Sequence, residues 1–137
     1  MATRKATVAD VHELATAMPD VTCDATGGGR PVYQVHRTSF VFFRGPRRDA
    51  IDEVSGERLE DVVMVVVPTA EDKQAILQSG PPWFTTPHFD GYNAVLVREA
   101  HLGLLTRAEL EEVICDAWLT KAPKRLARAW LEEHRSG

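Results

Sequence analysis

The sequence predicts an α+β domain of two layers, a mainly antiparallel sheet with helices on one face, in the order α-β3-α-β2-α. Three observations carry this. Thr7 with Asp10, Thr69 with Asp72, and Thr106 with Glu109 are Thr-x-x-acid pairs, each placed where a helix can open. Runs rich in β-branched and aromatic residues stand between them, bounded by turn residues. The helical segments come at intervals and not after every strand, which excludes a repeated βαβ pattern. With 137 residues the chain is long enough for one core and too short for two, so residues 1–137 read as a single domain.

After Thr7, the residues Val8, Val11, Leu14, Ala15 and Met18 recur at helical spacing, and Pro19 ends the first helix. Val21 to Asp24 is extended and leads into the three glycines Gly27 to Gly29. Val32 to His36 and Ser39 to Arg44 read as a hairpin with a polar step at Arg37-Thr38. Residues 45–61 are polar and turn-rich and read as a long loop or exposed wing. Val62 to Val67 is apolar on both alternating faces and so predicts a central strand. Thr69 opens a short helix to about Gln78, which the segment Ser79 to Pro82 terminates. Phe84 to Phe89 and Asn93 to Arg98 read as a strand pair joined at Asp90-Gly91. In the third helix Leu110, Val113, Ile114, Ala117 and Trp118 form an apolar stripe, and Pro123 interrupts it. A last helix, basic from about residue 121, turns Leu126, Ala127, Trp130 and Leu131 inward and Lys124, Arg125 and Arg128 outward.

The net charge of −4 argues against attraction of nucleic acid by the whole surface. Its distribution is uneven: the chain from Lys121 onward carries +3, and the first 120 residues carry −7. Cys23 and Cys115 have no metal-finger spacing and read as small buried hydrophobes, and the N-terminal stretch lacks the apolar core of a secretory signal. A cytoplasmic protein is the expectation. No apolar run approaches the roughly 20 residues that cross a bilayer, so no membrane partner is expected.

Chemistry is sparsely signalled. The glycine run is followed by Arg30-Pro31 and a strand, whereas a phosphate loop needs a helix N-terminus. No serine lies in a Gly-x-Ser-x-Gly elbow, so no catalytic residue, enzyme activity or cofactor is assigned. His88 and Asp90 share a strand face, but two ligands fall short of the three or more that zinc usually takes, and no metal is assigned. Trp83, Phe84, Phe89 and Tyr92 either cover the sheet or line a cleft; Trp83, His88, Asp90 and Tyr92 are the candidate ligand-binding set. Arg44, Arg47 and Arg48 form one basic cluster and Lys121, Lys124, Arg125 and Arg128 another, as phosphate contacts or as solvated charge.

Five segments together resemble the MmcQ/YjbR family of small bacterial proteins: VYQVHRTSFVFFR, VVMVVVP, PPWFTTPHFDGYNAVLVR, TRAELEEVICDAW and KAPKRL. The resemblance covers nearly the whole chain. It implies an α+β fold of this element order, comparable to type III secretion chaperones and to the frataxin-like CyaY fold, and it defines no catalytic residue. It also implies DNA binding, through a double-wing arrangement of two β-hairpins; the two basic clusters read from the charges are the candidate contacts. The chain departs from the family at Tyr92-Asn93-Ala94-Val95, where Trp-Asn-Thr-Val is common, and has Thr85, Thr86 and Asp90 where lysines are frequent. The expectation is a non-enzymatic protein, monomeric or homodimeric, that binds DNA weakly; the alternative is a module binding a small molecule or peptide in a cleft near residues 80–98.

Overall fold

The computed structural model describes residues 4–24, 31–44, 62–85 and 91–134, with the side chains of Arg44 and His134 outside that description. The protein is α+β. Helix α1 (Val8–Thr16) is followed by strands β1 (Val21–Asp24), β2 (Val32–Val35), β3 (Thr38–Arg44) and β4 (Val62–Val66). Then come α2 (Ala70–Gln78), β5 (Ala94–Arg98), a 3₁₀ helix (Glu99–Leu104), α3 (Arg107–Lys121) and α4 (Lys124–His134). The strands form one antiparallel sheet in sequence order, β1-β2-β3-β4-β5.

The threonine signals act as the sequence predicts. Thr7 and Asp10 make a full reciprocal capping box on α1, as do Thr106 and Glu109 on α3. The Thr69 hydroxyl accepts from the Asp72 backbone amide to start α2. Gly80, at φ 101°, follows the end of that helix in a conformation a side chain would oppose. Every residue of β4 is buried, which fits its place between β3 and β5.

Alternation along the strands divides the core. Tyr33, Val41, Phe43, Val63, Val65, Val95 and Val97 meet Val11 and Leu14 of α1 and Leu110, Ile114, Ala117 and Trp118 of α3 in one large cluster. Val62, Met64, Ala94 and Leu96 form a smaller cluster with Phe42 and Phe84. Trp118 is fully buried, and its indole Nε1 donates to the Pro19 carbonyl at 3.0 Å, fixing the end of α1 against α3. Leu126 and Trp130 of α4 are half-buried against the large cluster, whereas Leu131, expected to turn inward, is exposed, because it lies past the face of α4 that meets the core.

The element order differs from the expected one. Val21–Asp24 is a sheet strand pairing with β2, so four strands precede α2 among the described residues. After α2, the described residues contain one strand, with Phe84 bridging to Leu96 on the edge of β5; residues 86–89 of the expected partner strand, and Asp90 of its turn, lie outside the described residues. The β2–β3 turn falls at His36-Arg37, both at positive φ, one residue earlier than the polar step suggests. Two positive-φ residues are what a tight hairpin twist requires, but without glycine or asparagine they leave no local signal. Between Tyr33 and Gln34 the register shifts, so that both Phe40 and Val41 enter the core. Cys23 is exposed, a correction to its reading as a buried hydrophobe, because β1 is an edge strand; Cys115 is half-buried.

Candidate functional site

Two polar centres and one cleft emerge from this frame. The first centre joins the N-terminal segment to α3. Asp10, 1% exposed, accepts from Arg4 Nη1 at 2.8 Å, from the Thr7 backbone amide at 2.9 Å and from Arg107 Nε at 3.2 Å. Arg107 also pairs with Glu13. Backbone bonds run alongside, Ala6 N–H to the Leu105 carbonyl and Arg107 N–H to the Arg4 carbonyl, each 2.9 Å. The Arg4 hydrogen bonds pull the Asp10 carboxyl down to about 2 against the cost of its burial, and Arg4 is raised in turn. Every acceptor site of Asp10 is used, so this centre holds the fold together and offers nothing to a ligand.

The second centre lies under α2. Lys73 is 3% exposed, and its ammonium donates to the Tyr92 carbonyl at 2.7 Å. It thereby anchors the segment that enters β5. Further along α3, Asp116 is raised by desolvation first, then by the neighbouring acids Glu112 and Asp72.

The cleft, about 460 Å³, sits at the end of the sheet where β3 begins and β4 ends. Phe42, Met64, Val66 and Ala94 make an apolar floor. Ser39, Tyr92 and Asn93 stand around it, and Thr120 and Lys121 reach it from the last turn of α3. Lys121 is half-buried and has no salt-bridge partner among the described residues. Its size falls in the roughly 300–1,000 Å³ range of small-molecule sites, and an apolar floor with a few placed polar groups is their usual composition.

The candidate residues distribute as follows. Tyr92, 59% exposed, lines the cleft, whereas Trp83 is 8% exposed and belongs to the large core cluster. His88 and Asp90 lie outside the described residues, as do Arg47 and Arg48. Lys121 is at the cleft, and Lys124, Arg125 and Arg128 are exposed on α4. The backbone of Arg44 pairs with Val62, at the opposite end of β3 from the Ser39 that lines the cleft with Lys121. Five residues of strand put those ends about 17 Å apart. Among the described residues no group of three or more His, Cys, Asp or Glu stands where it could hold a metal ion. No helix among them is long and apolar enough to cross a membrane.

Sequence reasoning missed Ser39, Asn93 and Thr120 as cleft residues. Each is an ordinary small polar residue, and only the sheet register and the packing of α3 on it bring the start of β3, the entry to β5 and the end of α3 together. The burial of Lys73 was equally hidden, since a lysine within a polar helix reads as solvated.

Known proteins supply relatives without a function. An uncharacterised protein of Mycobacterium bovis is 49% identical over 72 residues, 52% of this chain and 54% of the relative. Uncharacterised proteins from two Mycobacterium tuberculosis strains show the same identity and coverage. The chain thus spans about half the length of the curated relatives it matches. No family profile matches the chain, and no solved structure matches it.

Proposed function

We propose that the chain is a non-enzymatic binding protein whose site is the cleft between the start of β3, the end of β4, the entry to β5 and the end of α3. The observation that carries this is the half-buried Lys121 at the rim of an apolar-floored space, a cation with no salt-bridge partner among the described residues. An anionic group on an apolar body fits: a small carboxylate, or the C-terminus of a peptide. The apolar part covers Phe42 and Met64, and the anion meets Lys121 with hydroxyls of Ser39 and Thr120 nearby. Benzoate is a suitable first probe. It should raise the melting temperature, and Lys121→Gln should abolish that rise while leaving the unliganded melting temperature close to that of the natural protein. A rise that survives Lys121→Gln removes the reading.

A second reading is weak DNA binding within a MmcQ/YjbR-type fold. What favours it is that Lys124, Arg125 and Arg128 are exposed on one short helix and Lys121 stands just before it. If these four cations grip phosphates, log K should fall against log salt with a slope of about −3 to −4 on duplex DNA. Changing Lys124, Arg125 and Arg128 to Gln should then flatten the slope by about two to three. Absence of binding at about 50 mM salt ends this reading, since non-specific affinity is strongest at low salt. The cleft would be untouched by that result.

A further inference from the structure

A second cavity lies between the end of α1, α3 and α4. Leu14 of α1, Ala17 and Met18 just after it, Ile114 and Cys115 of α3 and Trp130 of α4 line about 250 Å³. All six are apolar or weakly polar, and the volume is below the usual drug-sized range, so it suits a fragment-sized body. One charge completes the lining: Glu111, exposed on α3. Its nearest helical cation, Arg107, is one turn away and already holds Asp10 and Glu13. Glu111 has no salt-bridge partner among the described residues. The Cys115 thiol is pushed up to about 11 by burial first and then by Asp116 and Glu111, so it stays a neutral wall.

We propose that this cavity binds a small organic cation, an ammonium carried on an aromatic or short alkyl body, with the body against Leu14, Met18 and Ile114 and the charge between Glu111 and the ring of Trp130. A carboxylate and an indole wall both select positive charge, and indole is the best of the aromatic faces for it. The site is independent of the cleft at β3–β5, which carries a cation and selects the opposite sign.

The test uses three probes of one shape: 2-phenylethylammonium, neutral 2-phenylethanol and anionic phenylacetate, titrated into the full chain by isothermal calorimetry and thermal shift. The cation should bind roughly fivefold or more tightly than the alcohol, because an ion pair at a cavity mouth and a ring face each add a modest preference. Glu111→Gln, at an exposed position, should erase most of that preference while leaving binding of the alcohol unchanged. Ala17→Leu should fill the space and weaken both. As a readout that does not depend on variants, the cation should shift the amide resonances of Ala17, Glu111 and Cys115 but not that of Cys23, which lies outside the cavity. Equal binding of all three probes, no binding by the folded protein at about 10 mM, or a cation preference that survives Glu111→Gln overturns the proposal.

Discussion

The Asp10 centre and the Lys121 rim are two charged sites at the edges of the same helix, α3, and they have opposite fates. At its start, Arg107 and Arg4 close around a carboxylate that is almost wholly removed from solvent. At its end, Lys121 stands half-buried over an apolar floor with no salt-bridge partner among the described residues. A buried charge that has spent all its acceptor sites contributes to holding elements together. A charge left unsatisfied beside an open cleft contributes little to the fold and is available to a ligand. Charge alone therefore does not mark a site; what remains unpaired at a cavity does.

Breaking the satisfied centre should give the largest effect. Asp10→Ala removes half of the α1 capping box and the bonds from two arginines, and should cost about 2 to 4 kcal/mol in denaturant unfolding. Ligand affinity in the cleft should be unaffected in the folded fraction. The pH dependence follows the same logic. Asp10 is held near 2 in the folded protein and returns to about 3.8 when unfolded, so its contribution is full above about pH 4 and is lost as the pH falls toward 2. In Asp10→Asn the acid-induced loss of stability over that window should be visibly shallower than in the natural protein.

Lys73 sharpens the comparison because it is buried like Asp10 yet touches the cleft through the backbone of Tyr92. Lys73→Met keeps the packing of the stem and removes the charged donor, and should cost about 1 to 2 kcal/mol. It should also weaken benzoate binding severalfold by loosening residues 91–93, an effect Asp10→Ala does not share. The smallest stability change belongs to Lys121→Gln, within about 0.5 kcal/mol.

These contrasts were only partly legible in the sequence. The three threonine signals, the buried β4 and the apolar stripe of α3 could be read because each is a local pattern with a period or a cap. Asp10 was visible as a cap but not as a buried ion-pair centre, since Arg107 is 97 residues away along the chain. The strand role of Val21–Asp24 was underestimated because three of its four residues are exposed and give no buried alternation. Trp83 looked like Tyr92 in a shared aromatic stretch, yet one enters the core and the other stands at the cleft, a division made by the bridge at Phe84 and the turn into β5. Of the cleft, Tyr92 was legible as a candidate, but Ser39, Asn93 and Thr120 were not, because they come from three parts of the chain that meet only when α3 packs on the folded sheet.

The most direct test of the cleft is an amide chemical-shift titration of the uniformly labelled protein with benzoate, and in parallel with benzyl alcohol. Benzoate should induce shifts grouped at Ser39, Gly91 to Ala94 and Thr120 to Lys121, the alcohol much weaker ones, and Lys121→Gln should lose the benzoate pattern. Shifts that are scattered over the surface, equal for the two probes, or unchanged in Lys121→Gln would contradict an anion site in the cleft.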